Sequence, residues 1–195
     1  DAAQRPRPAL LDWSPMAHRK AILFTAFEPS GDEHAAPVIA QLRRLHPDLT
    51  IHALGGPKMR DAGAQMIDIT TEHAIMLAGA VSQVMVHRTR VKALERWLRA
   101  NPIAAVVPVD SPAANWSICQ AVRRCQPEAK VIHLVAPQLW AWGPWRVNKL
   151  RRLTDQVLCL LPFEPAWFKV RNVPARFVGH PVFDPSLAGP HLSAQ

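Results

Sequence analysis

Short apolar runs that alternate with helical patterns are the feature that most restricts how this chain can fold. The runs at residues 21–26 and 103–109 are continuous rather than alternating, which is typical of strands buried on both faces. The chain contains 19 prolines, which favour many short connections over a few long helices. Strands that alternate with helices at this spacing predict right-handed βαβ units. We therefore expect an α/β fold with a parallel sheet and helices on both faces.

The order of these patterns gives the expected elements. We predict strands at 21–26, 50–54, 65–69, 103–109, 130–135, 156–161 and 175–178, and helices at 33–45, 59–62, 113–125, 146–153 and 166–170 and within 73–100. Apolar stripes are expected on the first helix, with Val38, Ile39, Leu42 and Leu45, and on the third, with Val84, Val91, Leu94, Trp97 and Leu98.

Composition excludes several classes of protein. Hydrophobic residues make up 49% of the chain and charged residues 19%, which argues against disorder, a coiled coil or a collagen-like fibre. Three cysteines without a CxxC pair indicate reduced thiols in the cytoplasm rather than a disulfide framework. No run of 18 apolar residues occurs to span a bilayer. We expect one domain over 16–184, a disordered leader or artefact at 1–15 and a frayed tail at 185–195.

Ligands of parallel α/β sheets bind at the carboxyl ends of the strands, which selects the loops 27–32, 55–57, 110–115 and 136–143. In the first loop, Gly31 allows close backbone approach to a ligand, and the helix start offers unpaired N–H groups. Ser30 or Asp32 can bind there or simply cap the helix. Glu28 has no capping duty at the end of a buried strand. No GK[ST] sequence follows, so a phosphate-binding P-loop is disfavoured.

Asp110 follows the most apolar strand and is expected at the centre of the sheet. A partly desolvated carboxylate there is suited to accept a proton, although Asp110 can equally cap the helix that begins near Pro112. Asn115, five residues later, can orient a ligand hydroxyl or face solvent.

The segment 137–146 holds three of the seven tryptophans. Trp140 and Trp142 in a proline-flanked loop suit sugar rings, acyl chains or another subunit, or they plug the sheet edge. Basic residues cluster at 87–99 and again at 146–152, and the net charge is +8. Such patches suit an anionic membrane, a phosphorylated substrate or a solvated helix face. Nucleic-acid motifs and metal-ligand spacings do not accompany them, so neither partner is expected.

Six motifs in order resemble the lipid-A-disaccharide synthase family over about residues 21–184. They are Glu28-x-Ser30-Gly31-Asp32, Gly55-Gly56-Pro57-x-Met59, Asp110-Ser111-Pro112-x-x-Asn115, Val135-Ala136-Pro137-x-x-Trp140-Ala141-Trp142, Leu161-Pro162-Phe163-Glu164 and Phe177-Val178-Gly179-His180-Pro181.

The resemblance implies a Rossmann-like N-terminal, acceptor-side domain of a GT-B glycosyltransferase. Such enzymes join UDP-2,3-diacylglucosamine to 2,3-diacylglucosamine 1-phosphate, invert the anomeric centre and release UDP at the cytoplasmic face of the inner membrane. No cofactor is implied. The match assigns the general base to Asp110, and the basic patches with residues 75–86 fit acyl-chain and headgroup contact. We assign substrate binding to Glu28, Ser30, Gly31, Asp32, Asn115, Trp140, Trp142, Arg146 and His180.

The chain also departs from the family pattern. Phe27 stands where Gly is usual, Pro29 replaces Ala, residues 113–114 are Ala-Ala instead of Asp-Phe, and Gly143 replaces Arg. The UDP-binding half of the family follows the Gly-His-Pro turn, and a separate C-terminal half is therefore an expected partner. An alternative hypothesis is a non-catalytic lipid- or membrane-binding remnant of this fold. Another UDP-sugar transferase is disfavoured by the Trp-Ala-Trp and Pro-Phe-Glu motifs.

Overall fold

The computed structural model describes residues 21–71 and 80–180. These ranges do not include the predicted leader at 1–15, the predicted tail at 185–195 or residues 75–79 of the expected lipid-contact stretch. The elements, in chain order, are β1 (Ala21–Thr25), α1 (Pro29–Leu45), β2 (Thr50–Gly55), α2 (Pro57–Asp61), β3 (Gln65–Ile69), α3 (Ala80–Ala100), β4 (Ala105–Pro108), α4 (Pro112–Cys125), β5 (Lys130–Leu134), α5 (Leu139–Trp142), a 3-10 turn (Pro144–Arg146), α6 (Val147–Leu153), β6 (Gln156–Cys159), α7 (Glu164–Lys169) and β7 (Ala175–Phe177).

The strands form one parallel sheet in the order β3-β2-β1-β4-β5-β6-β7. The chain builds outward from β1 to β3, then returns to the other side of β1 to place β4 beside it. This reversal creates a topological switch point between the carboxyl ends of β1 and β4, where ligands of such sheets bind. The loops that leave these two strands begin with Ala26 and Val109.

Helices cover both faces of the sheet, as predicted. Successive residues of β1 point to opposite faces. Phe24 joins a buried cluster with Ile39 of α1, whereas Leu23 joins a second cluster with Leu94 of α3 and Ile118 of α4. A third buried cluster lies at the β6–β7 end of the sheet, where Phe168 of α7 packs with apolar residues of α6.

The predicted apolar stripe of α1 is partly wrong. Val38 and Leu45 are 36% and 57% exposed. The buried face runs instead through Gly31, Ala35 and Ile39, which are spaced four residues apart and so lie on one side of the helix. On α3, Leu94 and Leu98 are buried as predicted, but Val84 is 53% exposed.

Two local predictions also need correction. Helix α1 begins at Pro29 rather than residue 33, since proline is favoured at the first helical position, and neither Ser30 nor Asp32 caps it. The predicted loop at 136–143 contains α5, one turn of helix that ends at Gly143 with φ 146°. That left-handed backbone favours glycine and ends the turn.

Across residues 21–71 and 80–180, no helix combines the length and hydropathy that crossing a bilayer requires.

Candidate active site

The switch point brings together two of the predicted site residues, Ser30 and Asp110. The Ser30 hydroxyl lies in the first turn of α1 and donates a 3.0 Å hydrogen bond to Oδ2 of Asp110, which follows β4. The two residues are 80 positions apart in sequence. A carboxylate is thus held at the place where this class of sheet binds its ligands.

The backbone at Asp110 is strained. Asp110 has φ 51° and the next residue, Ser111, has φ 29°, a region that non-glycine residues seldom adopt. The Asp110 amide N–H donates to the Leu134 carbonyl of the neighbouring strand at 3.0 Å. The N-cap of α4 is Ser111, and no side chain caps that helix. Capping by Asp110, one of the two predicted alternatives, is therefore not what the structure shows.

A cleft of about 410 Å³ opens beside Asp110. Of the predicted site residues, Asp110, Arg146 and His180 line it. Its walls come from the ends of α1 and β5, from α5 and from the turn after β6. The described lining residues are His34, Asp110, Pro112, Val135, Ala136, Pro137, Gln138, Leu139, Arg146, Leu160, Leu161, Glu164 and His180.

Two histidines meet at this cleft. The ring of His34 packs edge-on against that of His180, with centroids 5.7 Å apart. Burial and, secondarily, the neighbouring His180 lower the pKa of His34, while Asp110 acts in the opposite direction. His34 was missed by the sequence analysis. The available signal was its position four residues after Ser30, which places both on one face of α1.

Glu164, also missed as a site residue, is a buried carboxylate in the cleft wall. It accepts hydrogen bonds from the Trp140 indole N–H at 3.2 Å and from the Leu161 amide at 3.1 Å. The Trp140 ring also packs edge-on against Phe163. Glu164 therefore fixes α5 against the Pro-Phe-Glu turn, and Trp140 lies behind the cleft wall. The side chain of Trp142 lies outside the described part of the molecule.

Asp32 is 3% exposed, and its carboxylate caps α2. It accepts hydrogen bonds from the backbone amides of Gly56, Lys58 and Met59 at 2.9–3.0 Å. A side chain at Gly56 has no room, because its Cβ would lie 2.4 Å from Oδ2 of Asp32. The Asp32 carboxylate therefore links the predicted loop at 27–32 to the predicted loop at 55–57.

Gly31 permits close contact within the protein. A Cβ at this position would lie 3.0 Å from Ala26 Cβ and 3.2 Å from the Val109 carbonyl. Its absence lets α1 start directly over the ends of β1 and β4. Glu28 is exposed at the N-cap of α1.

Asn115 is completely buried, which neither predicted alternative anticipated. Its side-chain amide donates to the Val109 carbonyl at 3.1 Å and to the Asp110 carbonyl at 3.0 Å. Its oxygen accepts a 2.7 Å hydrogen bond from the Thr25 hydroxyl. Asn115 therefore contacts the backbone beneath the cleft.

The cysteines are free thiols. Burial raises the pKa of Cys119 and Cys159 to about 12, so both are poor nucleophiles at neutral pH. Among the residues that the structure describes, no three His, Cys, Asp or Glu side chains are grouped to hold a metal ion.

Solved structures define the class of fold. MurG of Acinetobacter baumannii aligns with 82% of this chain and 45% of its own length, with a TM-score of 0.53 and 15% identity. UDP-GlcNAc 2-epimerase from Neisseria meningitidis, solved with UDP-GlcNAc, aligns with 83% of this chain and 46% of its own, with a TM-score of 0.58 and 12% identity. The predicted Rossmann-like fold of a GT-B domain is confirmed.

Sequence relatives then identify the family. The family described as lipid-A-disaccharide synthetase matches residues 22–190. The lipid-A-disaccharide synthase of Granulibacter bethesdensis is 38% identical over 165 residues, covering 84% of this chain and 41% of the relative. The lipid-A-disaccharide synthase of Geobacter metallireducens is 32% identical over 169 residues, covering 86% of this chain and 44% of the relative. The chain belongs to the lipid-A-disaccharide synthetase family, and it spans less than half the length of these two relatives.

Proposed function

We propose that this chain supplies the acceptor-binding half and the general base of an inverting glycosyltransferase. The reaction joins UDP-2,3-diacylglucosamine to 2,3-diacylglucosamine 1-phosphate and releases UDP. The observation that carries the proposal is the Asp110 carboxylate, which lies at the switch point of the sheet, lines the cleft and is held by Ser30. Family membership supplies the substrate class.

Asp110 acts as the base in this proposal. The acceptor 6-hydroxyl attacks the anomeric carbon of the donor sugar from the face opposite UDP. Its oxygen forms the new glycosidic bond, the bond to the UDP oxygen breaks, and the hydroxyl proton passes to Asp110. Because the Ser30 O–H donates to Oδ2, we assign proton acceptance to Oδ1. General-base catalysis of this kind contributes roughly 10²- to 10⁴-fold to a rate.

An arginine and two histidines that line the cleft with Asp110 suit the acceptor phosphate. Arg146 is exposed at the cleft, and a guanidinium binds phosphate through paired N–H donors. His34 and His180 add imidazole groups on the same cleft. The family's usual Asp and Arg are replaced at Ala113 and Gly143, so we assign phosphate recognition to Arg146.

The donor nucleotide requires a second half. The chain covers 41–47% of the length of eight curated lipid-A-disaccharide synthases that it matches. We propose that a C-terminal UDP-binding half faces the cleft from the opposite side. GT-B enzymes form their active site between two such halves, so the carboxyl edge of the sheet is the surface that the second half would face.

An exposed apolar and basic surface on α3 supports contact with a membrane. Val84, Met85 and Val86 are exposed, and the basic side chains that follow on the same helix are exposed as well: Arg88, Lys92, Arg96 and Arg99. Apolar residues next to cations suit the interface of an anionic leaflet. We propose peripheral binding at the cytoplasmic face of the inner membrane. The same surface favours the second candidate function, a lipid-binding module without catalysis.

Replacement of Asp110 tests the proposal. We would fuse this chain to the remaining part of the Granulibacter bethesdensis relative and measure UDP release. Asp110→Asn should lower kcat at least about 100-fold while acceptor binding, measured by calorimetry, stays within about twofold. Asp61→Asn is the matched control, since Asp61 is exposed on α2.

The outcomes separate the two candidate functions. Turnover that survives Asp110→Asn would exclude Asp110 as the base. A folded fusion that binds acceptor and anionic vesicles but never releases UDP would favour the lipid-binding module.

A further inference from the structure

We propose that Asn115, oriented by Thr25, is a positioning residue that holds the Asp110 turn in its reactive geometry. This inference rests on the proposed function, in which Asp110 is the general base. It assigns Asn115 a role beneath the site instead of the substrate contact predicted from its motif.

Consecutive carbonyls leading into the turn are all held by buried side chains. His133 Nδ1–H donates to the Pro108 carbonyl at 3.0 Å. The Asn115 side-chain amide donates to the Val109 carbonyl at 3.1 Å and to that of Asp110 at 3.0 Å. His133 is 2% exposed and Asn115 is 0% exposed. The end of β4 is therefore fixed from below by groups that water cannot replace.

The double hydrogen bond of Asn115 matches the unusual backbone. Left-handed φ values at Asp110 and Ser111 turn the chain sharply, which lets the carbonyls of Val109 and Asp110 converge on one amide group. Strained backbone of this kind persists only where the surroundings hold it, and it concentrates at functional sites. Asn115 supplies this restraint from within α4.

Thr25 fixes which way the Asn115 amide points. Its hydroxyl donates to Oδ1 of Asn115 at 2.7 Å, so Nδ2 faces the two carbonyls. The opposite orientation would set Oδ1 against two acceptors. Thr25 is 0% exposed and is the last residue of β1, where its own carbonyl accepts a hydrogen bond from the Val109 amide at 2.8 Å. The pair therefore links β1 to β4 directly under the switch point.

A substrate contact by Asn115 does not fit this geometry. Its side chain is fully buried, and each N–H of the amide has a backbone carbonyl to bond. The residue acts through Asp110, so its loss should affect the chemical step more than substrate binding.

Substitutions at Thr25 and Asn115 test the proposal. Thr25→Val removes the hydroxyl while keeping the shape, and it should lower kcat of the fusion protein about tenfold with acceptor KM within about twofold. Asn115→Ala should lower kcat about 100-fold, as expected when a reacting group is displaced by about 1 Å. Thr25→Ser keeps the hydroxyl and should restore most of the activity. Thr50→Val, at the amino end of β2 and away from the cleft, is the matched control.

A second measurement reads the geometry without turnover. In the 195-residue chain, amide hydrogen exchange of Asp110, which donates to the Leu134 carbonyl, should accelerate at least about tenfold in Thr25→Val and remain near wild type in Thr25→Ser. Failure of Asp110→Asn to reduce turnover would overturn the proposed function and leave this readout intact.

Three results would overturn the positioning role. One is a rise in acceptor KM at constant kcat in Thr25→Val or Asn115→Ala, which indicates substrate contact. Another is a lower melting temperature with unchanged kcat, which indicates stability alone. The third is unchanged exchange of the Asp110 amide in Thr25→Val.

Discussion

Ser30 in the first turn of α1 donates a 3.0 Å hydrogen bond to the carboxylate of Asp110, which follows β4. The contact joins the two loops that leave the switch point of the sheet. Only neighbouring parallel strands bring such loops together, and β1 and β4 are neighbours because the chain reverses its direction of sheet building. The pair is thus a direct product of the topology.

Removing the Ser30 hydroxyl should slow the proposed transfer. A hydrogen bond to a charged acceptor contributes about 1.5–3 kcal/mol when buried, and less at this exposed position. We expect Ser30→Ala to lower kcat about fivefold to tenfold with little change in acceptor KM, measured by UDP release in the fusion protein. Ser30→Thr keeps the hydroxyl and should stay near wild type. Equal loss in both variants would show that the hydroxyl is not the cause.

Asp32 should matter for stability. Asp32→Ala leaves three backbone N–H groups of the 56–59 turn without their acceptor, and those of Gly56 and Met59 are buried. Unsatisfied buried groups cost about 1–3 kcal/mol each before relaxation, so we expect a loss of about 3 kcal/mol in the free energy of urea-induced unfolding. Asp61→Ala, on the exposed side of α2, should change it by less than about 0.5 kcal/mol. Equal stability of the two variants would contradict the capping role.

His133 should make stability fall in acid. Burial lowers the pKa of His133 to about 4 from its ordinary value of 6.5, so the unfolded chain binds more protons between these pH values. The stabilisation is fully present above pH 6.5 and is lost as pH falls towards 4, by about 3 kcal/mol in total. Urea unfolding across this range measures the loss.

The control for His133 is a residue that does not titrate. His133→Asn retains a donor for the Pro108 carbonyl, and its unfolding free energy should lack this component of the pH dependence. An NMR titration of the His133 ring with a midpoint near 6.5 would show that burial does not shift it.

The α3 surface should bind anionic vesicles in a salt-dependent way. Arg88→Glu and Met85→Asp should each weaken partitioning onto phosphatidylglycerol vesicles about tenfold, because one removes attraction and the other removes apolar burial. Leu45→Asp is the matched control, since α1 packs on the opposite face of the sheet. Binding that survives both α3 variants, or that does not weaken between 0.05 M and 0.5 M salt, would exclude this surface.

Much of the fold follows from local patterns. The apolar run of β1 and the prolines and glycines that follow several strands predicted the alternation of strands and helices, because burial on both faces demands continuous hydrophobicity. Helix ends were less predictable. The start of α1 at Pro29 was missed although proline favours the first helical position. The close approach of α1 to Val109 at Gly31 is a tertiary contact, which local patterns do not show.

The site residues also fall into two groups, those that the sequence identified and those that it did not. Asp110 could be selected from the sequence because a carboxylate after an apolar strand stands out. Glu164 and Thr25 could not be selected as site residues, because each bonds to a residue far away in the chain. His34 was missed although its four-residue spacing from Ser30 was visible in the sequence. Glu164, for example, bonds to Trp140 across 24 positions and Thr25 to Asn115 across 90.

The sequence by itself therefore determined the α/β class, the family motifs and the carboxylate on which the proposed chemistry depends, since these follow from hydrophobic periodicity and residue order. The tertiary structure alone decided what each polar side chain does. Asp32 and Asn115 carry the same kind of motif signal as Ser30, yet both are buried beneath the backbone and bond to it. Burial and hydrogen-bond partners depend on strand order, and strand order arises only when the whole sheet has formed.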